Sequence, residues 1–223
     1  MNKNVLFVAP HPDDETLGCG GSILKHKANG DEIHWLILTK ANQKLNGMED
    51  FVGHQKAYIE RAAKEYGFNS CTQLGFTEIE LENYSFAEII NQIKIVFNHI
   101  QPEVLYIHNR NDVQSDHRTL FDAVYACTKS FRAPYLKKVL MYETLSETEF
   151  APAFQDNAFV PNVFNDITNY MGRKIEIMKL FDTEYMPDPY PRSEHAIRGL
   201  ASYRGSRIGV KYAEAFMLLL EIL

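Results

Sequence analysis

The sequence predicts an α/β fold in which a Rossmann-like, doubly wound and mostly parallel sheet is flanked by helices. Residues 5–9 form a continuous apolar run that ends at Pro10, which is typical of a strand buried on both faces. Further apolar runs at 33–38 and 104–107 alternate with helical patterns. This alternation favours right-handed βαβ units and therefore a doubly wound sheet.

The other elements follow from the same patterns. A glycine-rich turn at 18–21 precedes a predicted helix at 22–27, which ends at Asn29-Gly30. A fourth strand is predicted at 139–142, and further helices are predicted at 55–66, 86–100, 117–129, 173–181, 195–203 and 210–220. Residues 146–169 show little regular pattern, so they either form a wall of a binding site or are a surface excursion without function.

Length and charge limit the domain count and the partners. A chain of 223 residues without a linker-like stretch is expected to form a single domain over residues 1–223. A formal net charge of -6 would repel a polyanion, and no basic patch offsets it. We therefore expect no nucleic-acid partner.

Cysteine usage and the amino terminus indicate the compartment. The three cysteines are odd in number and form no Cys-x-x-Cys pair, which argues against a disulfide scaffold and a thiolate zinc site. Only about six apolar-rich residues precede Pro10, too few for a signal peptide or a transmembrane segment. The sequence thus predicts a cytoplasmic protein, and nothing in it indicates the oligomeric state.

Two loops at predicted strand ends contain the residues that can carry chemistry. His-Pro-Asp-Asp-Glu at 11–15 follows the first strand, and 112–117 follows the strand at 104–107. Ligands of open α/β sheets bind beyond such strand ends. Clustered acidic and imidazole groups are costly beside a buried strand, and a bound cation would offset that cost. His11 and Asp14 can face the same side of the turn, with His117 as a third ligand.

A ligand set of two imidazoles and one carboxylate leaves a coordination position open for water. Zn²⁺ suits this set best, although iron(II), cobalt and manganese accept it too. Zinc lowers the pKa of bound water to about 7 and polarises a carbonyl, and Asp13 could accept the water proton as general base. Alone, the aspartate pair would be a helix cap and His117 a structural histidine; together at two strand ends they favour a hydrolytic metal site.

The first motif and several later segments resemble a known family. Ala-Pro-His-Pro-Asp-Asp-Glu-Thr-Leu-Gly-Cys-Gly-Gly at 9–21 resembles the opening motif of the LmbE-like, or PIG-L, N-deacetylases. These are zinc hydrolases of N-acetylglucosaminyl compounds. The resemblance continues at 115–118, 160–168, 173–176, 201–205 and 212–216. It implies a small-molecule amino-sugar substrate that loses an N-acyl group, with acetyl as the expected group.

The resemblance also implies roles for individual residues. His11, Asp14 and His117 would bind zinc, Asp13 would be the general base, and Asp116 would lie behind the ligands without binding the metal. These roles agree with those that the spacing favours.

One residue departs from the family pattern. Many members have a histidine three positions before the last ligand, where it is thought to stabilise the oxyanion or to protonate the leaving amine; this chain has Gln114. A glutamine amide can donate a hydrogen bond to an oxyanion but has no proton to give. Asp13 would then act first as base and afterwards as acid. His108 is either a substitute acid or a structural histidine.

Two other classes of function compete with a hydrolase. A receiver-like phosphoacceptor could hold magnesium on an aspartate pair after the first strand, but imidazole ligands suit zinc better and a receiver domain needs only about half this length. A non-catalytic protein could keep a metal to stabilise its fold or to bind a sugar. A structural zinc site is normally closed by four protein ligands, which argues against this alternative.

Overall fold

The computed structural model describes residues 2–46 and 51–223. The strands are β1 (Asn4–Ala9), β2 (Glu32–Lys40), β3 (Ser70–Thr77), β4 (Val104–His108), β5 (Lys138–Tyr142), β6 (Val163–Asp166) and β7 (Ala213–Glu221). The α-helices are α1 (Asp14–Ala28), α2 (Gln43–Asn46), α3 (Phe51–Tyr66), α4 (Phe86–Ile100), α5 (Ser115–Ala126), α6 (Met171–Met178) and α7 (Glu194–Ser206).

The strands form one mostly parallel sheet in the order β3-β2-β1-β4-β5-β7-β6. The pairs from β3 to β5 are parallel, whereas β7 runs antiparallel to both β5 and β6. The first three strands lie side by side from β1 at the centre to β3 at one edge, and β4 pairs with the other side of β1. In such sheets ligands bind where the strand order reverses, here beyond the ends of β1 and β4.

The core lies on both faces of the sheet. Along β1, Val5 and Phe7 pack into one cluster, with side chains of α1, α3, α6 and α7. Leu6 and Val8 pack into the other, with side chains of α4 and α5. Because successive residues of a strand point to opposite faces, a continuous apolar run is needed to fill both layers. The predicted α/β class and doubly wound architecture are confirmed.

Two predicted elements are wrong. Residues 210–220 were expected to be helical, but the segment contains β7, whose pairing with β5 and β6 overrides the helix propensity of its leucine, alanine and glutamate residues. Residues 18–21 are no turn, because α1 begins at Asp14 and runs through them. The glycines there allow close packing: a Cβ on Gly21 would lie 2.6 Å from Ile167, and one on Gly18 would overlap the ring of Tyr142.

Two strands are absent from the sequence prediction. β3 and β6 are the edge strands of the sheet, and β6 lies within the irregular segment 146–169. Their half-exposed, partly polar sequences lack the apolar run that identifies a central strand. Among the helices of the two described ranges, none has the length and apolar character needed to cross a bilayer.

Candidate metal and active site

The structure brings His11, Asp14 and His117 together at the ends of β1 and β4. One ligand atom from each of them lies within 4.8 Å of the other two. His117 Nε2 is 3.3 Å and His11 Nδ1 is 3.6 Å from Asp14 Oδ2. Imidazole nitrogens and a carboxylate oxygen are the ligands expected for zinc. These three residues could therefore hold one divalent ion.

Local structure explains how the ligands converge. His11 lies two residues after the end of β1, and Asp14 is the first residue of α1. Both therefore lie in or next to the short connection between the strand and the helix. Asp14 Oδ2 accepts a hydrogen bond from the His11 backbone N–H at 2.8 Å, which fixes the turn. His117 lies in the first turn of α5, after the loop that follows β4.

The hydrogen bonds of His117 indicate that a cation belongs beside it. Its Nδ1 lies 2.8 Å from Asp112 Oδ2, so the ring donates its Nδ1–H to that carboxylate and turns Nε2 towards Asp14. Nε2 is buried and has no hydrogen-bond partner in residues 2–46 and 51–223. This nitrogen faces a carboxylate oxygen at 3.3 Å, an arrangement that is costly unless a proton or a metal ion lies between the two atoms. The residues therefore fit a bound metal ion.

The pKa values of the three ligand residues also indicate that a cation binds between them. Burial disfavours a charged imidazole at His11, yet hydrogen bonds to Asp116 and Asp14 raise the pKa of His11 to about 10. Burial likewise opposes the rise at His117, but the charge of Asp14 and the bond to Asp112 hold its pKa well above the usual value. The two imidazoles lower the pKa of Asp14 against the effect of burial. The cluster attracts positive charge, and a metal ion would displace the protons.

Asp112 is the supporting residue that sequence reasoning missed. It is buried and receives three hydrogen bonds, from His117 Nδ1, from Asn109 Nδ2 at 2.8 Å and from Thr148 Oγ1 at 2.7 Å. Such a carboxylate fixes the tautomer and orientation of a metal-binding histidine. Its position at the start of the 112–117 loop was the available signal, but no spacing rule singles it out.

The resemblance to the family implies that Asp116 lies behind the ligands, and in the structure it contacts the ligand His11. Its Oδ2 lies 3.2 Å from His11 Nε2 and also accepts the backbone N–H of Ile79 at 2.8 Å. Asp112 and Asp116 therefore each face one of the two histidines. Each of these carboxylates contacts the ring nitrogen that does not face Asp14, and together they orient both imidazoles.

We expect Asp112→Asn to weaken metal binding by about 10- to 100-fold, because the amide can present its NH₂ group to Nδ1 and disfavour the required tautomer. Competition with a chromogenic chelator measures the affinity. Asp122→Asn is the matched control on the exposed side of α5, where Asp122 lies 3.6 Å from Arg110. Unchanged affinity in Asp112→Asn would remove Asp112 from the site.

A cavity of about 270 Å³ is lined by two of the three ligands, His11 and Asp14, and by Asp13 between them. Asp13 has a φ of 150°, a conformation that L-residues rarely adopt and that only the surrounding structure maintains. Burial, together with the charges of Asp14 and Glu184, holds the pKa of the Asp13 carboxyl well above its usual value, although Arg192 acts in the opposite direction. A buried carboxyl group aimed at a cavity beside a metal site can exchange a proton there.

The cavity wall comes from distant parts of the chain. Arg192 Nη1 lies 2.6 Å from Glu184 Oε2 and 3.5 Å from Asp13 Oδ2. Besides His11, Asp13 and Asp14, the lining comprises Pro12, Leu17, Phe51, Gln55, Tyr58, Glu78, Ile79, Gln114, Ser146, Glu147, Glu184 and Arg192. Of the irregular segment 146–169, only Ser146 and Glu147 reach this cavity. Of the two alternatives for this segment, the site wall therefore applies to its first two residues.

Gln114 and His108 differ in their access to the cavity. Gln114 precedes α5, makes no cap hydrogen bond with its side chain and lines the cavity. His108 is buried, is not among the lining residues and donates Nε2–H to the His117 carbonyl at 2.7 Å. Burial, with the charge of His117, lowers the pKa of His108 to about 3. His108 is therefore a neutral structural residue that supports His117.

Two of the later segments that resemble the family, 173–176 and 212–216, hold α1 in place. Lys174 Nζ and Glu214 Oε1 form a buried ion pair at 2.8 Å. Glu214 accepts the backbone N–H groups of Gly21 and Ser22, and Lys174 donates to the Leu17 carbonyl at 2.7 Å. These contacts join α6 and β7 to the helix whose first residue is Asp14.

Comparison with known proteins relates this chain to sugar deacetylases. The chain is 27% identical to the diacetylchitobiose deacetylase of Thermococcus kodakarensis over 225 residues, which covers 95% of this chain and 81% of that protein. The solved N,N'-diacetylchitobiose deacetylase of Pyrococcus horikoshii superposes with a TM-score of 0.73 at 22% identity, covering 97% of this chain and 83% of that one.

The fold alone does not determine the reaction. The 4-carboxy-2-hydroxymuconate hydratase GalB of Pseudomonas putida KT2440 superposes with a TM-score of 0.73 at 18% identity, covering 100% of this chain and 98% of that one. The more specific match is that of residues 6–128 to the family model PIG-L, described as GlcNAc-PI de-N-acetylase. These residues include both loops of the site, and the chain therefore belongs to the PIG-L family.

Proposed function

We propose that this chain is a metal-dependent hydrolase that removes the acetyl group from the nitrogen of a small amino-sugar compound. The observation that carries the proposal is the convergence of His11, Asp14 and His117, two of which line the same cavity as the buried carboxyl of Asp13. Membership of the PIG-L family and the similarity to diacetylchitobiose deacetylase support the amide as the scissile bond. Two imidazole ligands argue against a magnesium-dependent phosphoacceptor.

His11, Asp14 and His117 would hold the ion, and zinc is the metal that their donor atoms favour. When bound, zinc supplies a Lewis acid that polarises the amide carbonyl and makes water more acidic. Asp13 accepts the proton of the water that attacks the acetyl carbon; its raised pKa lets it retain that proton. Gln114 donates an amide N–H to the oxygen that becomes negative. Asp112 and Asp116 keep the two histidines oriented.

The charge of the cavity favours substrates without an anionic group. Its lining carries the carboxyl groups of Asp13, Asp14, Glu78, Glu147 and Glu184. Apart from the ligand His11, Arg192 is the one basic side chain among the lining residues that the structure describes, and it already contacts Glu184 and Asp13. With Glu147 protonated, since burial raises its pKa to about 7, four negative charges remain, and a divalent cation together with Arg192 would offset three of them. The cavity would then still repel a phosphate or carboxylate on the substrate.

We therefore expect a neutral N-acetylglucosaminide to be deacetylated with a kcat/KM at least about tenfold above that of N-acetylglucosamine 1-phosphate, because like charges in a partly buried site cost free energy. The difference should shrink as ionic strength rises, since salt screens the repulsion. Assays of both compounds at low and high salt measure it. Preference for the phosphate at every salt concentration would contradict the charge argument.

A screen of N-acetylated amino sugars for release of primary amine tests the proposed function itself. Neutral mono- and disaccharides should release amine in the presence of zinc and should stop doing so after treatment with a chelator. Zinc-independent release would contradict the metal mechanism. Absence of release from every sugar in the presence of zinc would contradict the proposed reaction.

We also propose that residues 1–223 act as one catalytic unit in the cytoplasm. Strands from both ends of the chain join the same sheet, which supports a single unit. Cys19, Cys71 and Cys127 are free thiols, which supports a reducing compartment.

A further inference from the structure

A second carboxyl group reaches the reaction cavity from the turn that follows β5. Glu147 lines the cavity together with His11, Asp13 and Gln114. Its Oε2 atom is buried and has no hydrogen-bond partner among the described parts of the chain. Leaving a carboxyl oxygen buried without a partner is unfavourable for folding. The position of Glu147 is therefore better explained by an interaction that forms only with substrate.

The backbone around Glu147 is fixed to the loop that carries the third ligand. The Glu147 carbonyl accepts the N–H of Val113 at 3.1 Å, and its own N–H donates to the Thr144 carbonyl at 3.2 Å. The preceding residue, Ser146, has a φ of 72°, and its N–H is bound by Glu149 Oε1 at 2.6 Å. A left-handed serine persists only where its neighbours enforce it. The turn thus presents Glu147 at a fixed position beside the 112–117 loop.

The electrostatic environment allows this carboxyl to carry a proton. Burial raises the pKa of Glu147 to about 7; the charge of His117 acts against this rise, and those of Asp14 and Asp112 add to it. A carboxylic acid that titrates near neutrality can give up a proton and regain it from solvent within a catalytic cycle. Gln114, which lines the same cavity, has no proton to give.

We propose that Glu147 is the general acid of the reaction and protonates the leaving nitrogen, an inference that rests on the proposed deacetylase function. Water adds to the acetyl carbon as Asp13 takes one of its protons. The C–N bond then breaks, its electron pair stays on nitrogen, and nitrogen takes the proton of the Glu147 carboxyl. Acetic acid and the free amine leave, the acid loses its proton to solvent, Glu147 regains a proton from solvent, and Asp13 releases its own. Asp13 then needs to act only as base.

Glu147→Gln tests this with two substrates that differ in their leaving group. An amine leaves an N-acetylglucosaminide only when protonated, whereas 4-nitrophenolate leaves 4-nitrophenyl acetate without a proton. We expect kcat for the amide to fall by about 10²- to 10⁴-fold, with KM little changed, and the chelator-sensitive hydrolysis of the ester to be nearly retained. Adding Gln114→His to this variant supplies an imidazole on the same cavity and should restore part of the amide turnover.

Controls separate catalysis from folding and from binding. Glu60→Gln removes an exposed carboxyl from α3 and should match the unsubstituted protein in every assay. Glu147→Asp keeps the acid and should retain more amide turnover than Glu147→Gln at equal zinc content. Equal losses on amide and ester, or undiminished amide turnover in Glu147→Gln, would overturn the assignment of Glu147 alone. An unsubstituted protein that deacetylates no amino sugar would overturn the proposed function instead.

Discussion

Asp13→Asn is expected to lower kcat by about 10²- to 10⁴-fold and to leave zinc binding intact. Asn has the same shape, so it can occupy the strained φ of 150°, but it cannot accept a proton from water. Steady-state rates of amine release, compared at equal zinc content, measure the effect. KM should change little because the side chain acts on the proton rather than on the sugar.

Gln114→Ala is the matched comparison at another residue that lines the cavity. It removes one hydrogen-bond donor to the oxyanion, while the polarising effect of the metal remains, so the loss should be clearly smaller than in Asp13→Asn. Equal and complete loss of activity in both variants would contradict the assignment of Asp13 as base. A third variant, His108→Ala, should keep the pH dependence of the unsubstituted protein, since His108 does not line the cavity.

His117→Ala is expected to abolish both metal binding and the stabilisation that metal provides. A ligand at about 100 times its Kd stabilises a folded protein by about 2.7 kcal/mol. In a chain of this size that corresponds to a rise in Tm of about 5–10 °C. Thermal unfolding with and without zinc should show this rise in the unsubstituted protein and lose it in His117→Ala, together with amine release.

His99→Ala provides the control for His117→Ala, because His99 is exposed on α4 and far from the ligands in the fold. Its zinc-dependent Tm shift should equal that of the unsubstituted protein. Zinc shifts of equal size in His117→Ala and in the unsubstituted protein would contradict the ligand assignment. A similar loss in both histidine variants would indicate nonspecific binding of zinc.

Local sequence signals were sufficient for the central part of the fold. The fully buried strands β1 and β4 need apolar side chains on both faces, and that requirement is visible as an apolar run. Two motifs shortly after these strands must then lie together at the switch point of the sheet. The ligand trio His11, Asp14 and His117 is adjacent in space for this reason.

The remainder depends on contacts that sequence patterns do not encode. β7 consists largely of residues that favour helices, and its pairing with β5 and β6 makes it a strand. Arg192 reaches Asp13 across 179 positions of the chain. Glu147 lies in an irregular segment without any pattern, and its relevance depends on hydrogen bonds to another loop. Asp112 was part of a recognised motif, but its bond to His117 is a property of the folded loop.

The most direct test of the metal site is a crystal structure of the zinc-loaded protein with anomalous diffraction at the zinc edge. One zinc peak should lie between a ring nitrogen of His11, a carboxylate oxygen of Asp14 and Nε2 of His117, at about 2.0–2.2 Å from each. Asp13 and Glu147 should face the open side of the ion without binding it. A zinc peak elsewhere, or one bound by only one of the three residues, would contradict the proposed site.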